Sequence, residues 1–373
     1  MYAAQNDCAF ITMMGFDVDT FGLILQGFQA EWELTPIERS DVNPNGKPRL
    51  GACSLNAAGG LGLVLHYIHS CMTETSLQQI FGLVPATVDR YIQFGLRILD
   101  STLASIPEAC IVWPNGTKMA EYNSMIVQRH PLLQGAFGSI DGLKVPEDPM
   151  MENATYNSWT HGHYSNQIFV FGPDGECSID VWLDILIFWE GVILDAILNA
   201  PSSWHDSRVA LPVYEQLLYN TPEGSYLVSD TAFPQGTSCV SGKIKAPLKQ
   251  GDHLSSNLLL RSEQLAFDRQ LFSYQQSAEW GMHALWGAFG WLRVPLDVVG
   301  ACHFLLLRVV VQAHNLRTTR VGINQICSVY CNIWREGDGE EIWQGFASIM
   351  FGDLRKHDRV ARFHTMAVEQ DEE

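Results

Sequence analysis

Apolar and polar positions change their period along the chain, and the changes divide it. Residues 1–35 are acidic and helix-like, and the following TPIERSDVNPNGKPRLG, rich in Pro, Asn and Gly, reads as a loop. From Ala52 to about Ile106 apolar residues recur at helical spacing, with a break at FGLVP. Leu77, Ile80 and Phe81 share one face before that break, Gly82 stands where the chain must turn, and Pro85 suits the start of a second helix. Val88, Tyr91 and Ile92 continue the apolar stripe on the second helix, leaving Asp89, Arg90 and Gln93 more exposed. Such a pair is either a helix-turn-helix, with Arg90 and Gln93 on the helix that enters a DNA major groove, or an ordinary helical hairpin.

From about Arg129 the pattern becomes short β-like runs separated by Gly and Pro: FGSID, NQIFVFGPDG, GVILDAILNAP and SYLVSD. Helical spacing returns after about Leu260 and continues past Arg308. This order predicts an α/β layer with its chemistry at strand ends. The expected organisation is an acidic helical segment (1–35), an all-α helix-turn-helix-like region (36–128), an α/β domain (129–335), and a C-terminal helix with an acidic tail (336–373).

Composition narrows the possible functions. A content of 47% hydrophobic residues over 373 positions supplies a substantial core. A formal net charge of -18 excludes a surface that coats nucleic acid unaided, because non-specific affinity for phosphate needs clustered Lys and Arg. Any such contact is local or supplied by a basic partner. The local candidates are Lys243, Lys245 and Lys249 in GKIKAPLKQG, and Arg355, Lys356, Arg359 and Arg362 near the C-terminus; each group also reads as a solvated face. The nine cysteines are scattered, and CSVYC lacks the further pair a zinc site needs, so reduced thiols in a nuclear or cytoplasmic protein are expected. MYAAQNDCAF has no basic start, and no apolar run reaches membrane-spanning length. His66 and His69 lie three apart near Cys71, but without a fourth ligand they read as core or surface histidines.

Three acids stand out by position. Asp141 ends FGSID, Asp230 ends SYLVSD, and Glu279 sits on a helix whose Met282, Leu285, Trp286 and Phe289 form a stripe. Taken singly, they read as a turn starter, a strand terminator and a helix-surface acid. Brought together they repel unless a divalent cation neutralises them, and a pair of such ions activates water and stabilises the leaving oxygen of a phosphodiester.

The motifs GSIDG, ENATYNSW, NAPSSWHDSRVA, YLVSDTAFP, KIKAPLK, AEWGM and HNLRTTRVGINQI occur in order over roughly Leu50 to Tyr330. Together they resemble Harbinger-type DDE transposases, in particular the transposon-derived form of fungal genomes. The resemblance implies a ribonuclease-H-like core, with a mixed sheet flanked by helices, and cutting of DNA at transposon terminal repeats with two Mg²⁺ or Mn²⁺ ions. It places the metal-binding, catalytic triad on Asp141, Asp230 and Glu279. A His-Asp pair falls on His205 and Asp206; Asp206 either lines the metal site or, with His205, holds a loop through Ser207 and Arg208. An HD phosphohydrolase using His161, His163, His205 and Asp206 is disfavoured, because those sites lie on helices and this pair follows a β-like run bounded by Pro201. The resemblance also implies a separate Myb-like partner for DNA binding and nuclear entry.

One stretch departs from the family pattern. ECSIDVWLDILIFWE (176–190) intervenes between PDG and the next strand, where it would have to fit within the catalytic sheet. It reads either as a translated intron or as an insertion outside the sheet. A catalytically silent, transposon-derived DNA-binding or interaction protein is the alternative to an active nuclease.

Overall fold

The computed structural model describes residues 6–37, 53–148, 155–158, 161–173, 191–233, 240, 242–249, 253–295 and 300–322. They belong to one compact unit, Met1–Ile323; a second unit, Asn324–Glu373, lies outside the described residues. Also outside them are CSVYC, the Arg355–Arg362 cluster, the acidic tail and the 176–190 stretch.

The helical first third follows its sequence signals. Helix α1 (Asp7–Met14) begins under Asn6, whose side chain accepts from Ala9 N, and stops at Gly15 with φ 78°. Asp17 caps α2 (Val18–Leu34) by accepting from Thr20 N at 2.7 Å, a bond of a kind worth about 1 kcal/mol. Helix α3 (Ala57–His69) approaches α5 (Pro85–Ala104) closely because Gly95 has no side chain; a Cβ there would lie 2.4 Å from Val64 Cγ2. Between them α4 (Glu74–Phe81) ends at Gly82, left-handed at φ 63°, and Pro85 opens α5. Most of α5 is buried: Val88, Tyr91, Ile92, Leu96, Leu99 and Leu103 join the main core, which α2, α3 and α10 (Gly300–Arg320) also line. Its first turns face water, with the capping Val84 and Pro85, Ala86 and Asp89 exposed, and Arg97, Ser101 and Ala104 are exposed further along.

After α6 (Gly116–Arg129) the chain enters a mixed sheet of β1 (Ala136–Pro146), β2 (Tyr156–Asn157), β3 (Gly162–Gly172), β4 (Val192–Pro201), β5 (Tyr226–Ser229) and β6 (Ile244–Lys245). Strand β1 pairs antiparallel with β3 and parallel with β5; β5 pairs parallel with β6; β4 and β2 both pair with β3. The run IFVF in β3 is continuously apolar because helices cover both faces of the strand. Phe169 and Phe171 join the main core with Leu143, Val145 and the α-helical region. Ile168 and Val170 join a second core with Ile140, Val209 of α7 (Asp206–Val209), and Val213 and Leu217 of α8 (Leu211–Tyr219). The N-terminal helices and the sheet thus share a core: Phe10, Phe21, Phe28 and Trp32 belong to the same cluster as Phe169.

Strand β4 forms despite the intervening stretch. It pairs with β3 from Gly172↔Val192 to Ser165↔Pro201, and Gly191 N donates to Gly172 O at 3.2 Å. Gly172 and Gly191 thus meet at the end of the β3–β4 ladder, while the 176–190 stretch itself lies outside the described residues. Asn315 of α10 fixes β4 from above: its Oδ1 accepts from Ile193 N at 2.8 Å and its Nδ2 donates to Ile193 O at 2.9 Å. Two residues further along α10, the buried Arg317 donates from Nε to Gly15 O at 3.0 Å, at the carbonyl end of α1 where a cation is favoured.

Helix α9 (Leu258–Ala288) closes the sheet. Its Leu271 and Tyr274 pack with Tyr226 and Val228 of β5, and its Ala278, Met282 and Leu285 enter the main core. This 3–4 spacing sets the rotation of the helix and hence the placement of Glu279.

Candidate active site

The last parallel pair between β1 and β5 is Ile140↔Ser229, and the next residue on each strand is an aspartate. Strand β5 ends there, so Asp230 stands at its carboxyl end. Asp141 does not end its strand, contrary to the expectation from FGSID. Strand β1 runs on to Pro146 in the antiparallel ladder with β3, where Asp141 pairs with Phe169. Asp141 instead marks the level at which its parallel neighbour stops.

Local hydrogen bonds orient both carboxylates. Asp141 Oδ1 accepts from Gly142 N at 2.7 Å, and Asp230 Oδ1 accepts from Ala232 N at 2.9 Å. Burial pushes the Asp141 carboxyl up to about 7 against the Gly142 bond, with the charges of Asp230, Glu279 and Asp206 adding to the rise. Asp230 is also raised, chiefly by burial and then by Asp206, while the Ala232 bond, His205 and Lys249 oppose the rise. The carboxyl of the exposed Glu279 thus acts on Asp141 across the gap from α9. All three acids singled out in the sequence are brought into one electrostatic neighbourhood.

Asp206 belongs to the same neighbourhood. It opens α7 behind His205, which caps the helix by accepting from Ser207 N at 3.3 Å and bonds Ser207 Oγ at 2.9 Å. Asn166, 2% exposed, donates from Nδ2 to Asp206 Oδ1 at 3.1 Å and to Trp204 O at 3.2 Å. The buried Tyr214 also faces Asp206, whose charge adds to the effect of burial in raising the phenol. Asn166 and Tyr214 escaped the sequence reading. The available signal was a polar amide opening the apolar run NQIFVF, where an unpaired side chain would be costly.

Gly142 permits the approach of Asp206. A Cβ at position 142 would lie 3.3 Å from Asp206 Oδ2 and 3.4 Å from Ile168 Cδ1. Gly142→Ala is therefore expected to displace the Asp206 carboxylate by a few tenths of an ångström while leaving the fold intact. A structure of the variant and its melting temperature check this; a melting temperature lowered by about 10 °C or more would show that the glycine serves folding instead.

The basic candidates divide. Lys243 Nζ donates to Thr221 O at 2.9 Å and Pro222 O at 2.7 Å, and Lys245 Nζ lies 3.7 Å from the centre of the Tyr226 ring and 5.3 Å from that of Phe267. Both are thus engaged within the fold. Lys249 is exposed and its charge reaches Asp230. The Arg208 guanidinium stacks 4.5 Å from the centre of the Trp204 ring. Arg90 and Gln93 lie on α5 and are half-buried. His66 Nδ1 bonds Met13 O, His69 Nδ1 bonds Ala288 O, and Cys71 Sγ donates to Gly290 O, so these three serve packing. His163 bonds Thr155 Oγ1 at 2.9 Å.

Among the described residues, no three His, Cys, Asp or Glu side chains are disposed to hold a metal ion. The donor set nevertheless fits a hard divalent cation in kind. It consists of carboxylate oxygens that repel one another in a partly buried setting, which a cation relieves.

Residues 140–313 match the family model described as DDE superfamily endonuclease. The matched segment runs from the residue before Asp141 into α10 and includes Asp206, Asp230 and Glu279. No curated protein and no solved structure matches the chain.

Proposed function

We propose that the protein is a metal-dependent DNA endonuclease of the Harbinger transposase type, cutting phosphodiester bonds at transposon terminal repeats. The observation that carries this reading is the adjacent placement of Asp141 and Asp230 where the parallel ladder ends, with Glu279 and Asp206 close enough to raise the Asp141 carboxyl. The strand order β4–β3–β1–β5–β6, with β1 antiparallel to β3 and parallel to β5, supports a ribonuclease-H-like core.

Asp141, Asp230 and Glu279 would hold two Mg²⁺ or Mn²⁺ ions, with Asp206 as a further oxygen donor. Bound there, the ions would polarise the scissile phosphate and the attacking water. Asp141 and Asp230 are each oriented by one backbone amide on Oδ1, Gly142 N and Ala232 N. Lys249 orients a phosphate oxygen beside Asp230, and His205 and Arg208 support the loop that carries Asp206. Water adds its oxygen to phosphorus as the bond to the 3′-oxygen breaks, leaving a 3′-hydroxyl that can attack target DNA in transposition.

The exposed first turns of α5, followed by Arg90 and Gln93, would supply sequence-reading contacts to the terminal repeats. Lys243 and Lys245 would shape the strand that leads to Lys249. A basic Myb-like partner would offset the net charge of -18 and bring the protein into the nucleus.

The test is nicking of duplex DNA carrying the element's terminal repeats, with Mg²⁺ or Mn²⁺ and with EDTA. Cleavage that needs the cation is expected, and its absence in every cation condition with folded protein would leave the second reading. That reading is a catalytically silent DNA-binding or interaction protein, favoured by the net charge of -18.

A further inference from the structure

The turn that delivers Asp206 also presents an aromatic ring. Trp204 is 42% exposed, and the Arg208 guanidinium lies 4.5 Å from its ring centre. The main chain of Trp204 is held on both sides: Trp204 N donates to Pro201 O at 3.0 Å, and Trp204 O accepts from Asn166 Nδ2 at 3.2 Å. The same amide nitrogen bonds Asp206 Oδ1 at 3.1 Å. One buried side chain therefore fixes the backbone that bears the exposed indole and the Asp206 carboxylate relative to each other, and the His205 cap sets the short helix that carries Arg208.

We infer that Trp204 and Arg208 form a stacking platform for an unpaired nucleobase next to the carboxylate site. The inference rests on the DNA reading proposed above. An indole face and a guanidinium plane are the two protein surfaces on which a base stacks irrespective of its sequence. An acidic chain gains little from phosphate contacts, so a strand entering this site has to be held by its bases and by the few cations nearby, Arg208 and Lys249. A duplex keeps its bases stacked on one another, so the ligand is a frayed or single-stranded segment beside the scissile bond. The backbone bonds at Trp204 mean that little loop ordering is needed on binding.

The experiment compares a fluorescein-labelled oligothymidylate with an abasic oligomer of equal length and charge, by fluorescence anisotropy in EDTA. Wild type, Trp204→Ala, Trp204→Phe and Arg208→Ala are measured, with circular dichroism melting to establish that each is folded. Wild type is expected to prefer the oligothymidylate. Trp204→Ala is expected to lose roughly 5- to 150-fold in affinity for it, the range for one stacked base, with its affinity for the abasic oligomer unchanged. Trp204→Phe keeps most of the preference, and Arg208→Ala lies between. Equal affinity of wild type for both oligomers, an equal loss on both in Trp204→Ala, or no loss at all would overturn the platform. Binding is read without divalent ions, so a protein that shows the preference but never cuts overturns the nuclease reading alone. One that cuts without the preference overturns the platform alone.

Discussion

Asp141→Asn is expected to abolish cation-dependent cleavage while leaving the protein at least as stable as wild type in EDTA. The loss should be on the order of 10³-fold or more, as for single members of catalytic groups that act as a unit. The stability expectation follows from the site. The Asp141 carboxyl is raised to about 7 chiefly by burial, and Asp230, Glu279 and Asp206 all add repulsion. A neutral amide of the same shape removes both costs and keeps an oxygen for the Gly142 amide bond. A gain of about 1–2 kcal/mol is expected, well below the full effect of the shift because the group is not sealed from water. Urea denaturation and the nicking assay together decide the matter. A turn-forming role for Asp141 predicts the reverse pair of results, a less stable variant with cleavage retained.

Acid should unfold the protein early, through its histidines. His314 is 1% exposed on α10, bonded through Nε2 to Gly191 O at 2.9 Å, and burial and then Arg317 lower it from 6.5 to about 4. His69 is lowered from 6.5 to about 3, by burial first and then by Arg317, with His66 adding to the fall and the Ala288 bond opposing it. Both rings are neutral in the folded protein and take up a proton on unfolding once the pH falls below 6.5. Stability is therefore full above that value and declines as the pH drops toward the folded values near 4 and 3. Each ring costs about 1.4 kcal/mol per pH unit in that window, so the pair costs roughly 4 kcal/mol between pH 6.5 and 5. His130, lowered from 6.5 to about 4 by burial and then by Arg129, adds to the slope, which denaturation curves over this range measure, and His314→Gln should remove about a third of it. A slope unaltered in His314→Gln would place the acid sensitivity elsewhere.

The fold was legible wherever local chemistry set it. Gly82 and Pro85 announced the α4–α5 turn, and the Met282–Leu285 stripe announced the rotation of α9. The end of β1 was misplaced at Asp141 because Asp-Gly is ordinarily a turn signal; here eight successive pairs with β3, from Ser139 to Pro146, carry the strand through it. The three acids were visible from their positions and from the ordered motifs. Their support was not, because Asn166 and Trp204 acquire meaning only when the β3–β4 ladder brings residues about 40 positions apart into contact, and Tyr214 only when α8 turns it toward Asp206. Lys243 and Lys245 looked like phosphate ligands for the same reason: backbone carbonyls at Thr221 and Pro222, and the rings of Tyr226 and Phe267, are distant partners that spacing does not reveal.

The Gly191–Gly172 bond closes one end of the β3–β4 ladder, and Asn315 clamps that same end through both groups of its amide. At the other end Asn166 holds Asp206 and the Trp204 carbonyl. The ladder is thus pinned by one buried amide at each end, so the strand pair that positions Asp206 is braced from α10 as well as from the site itself.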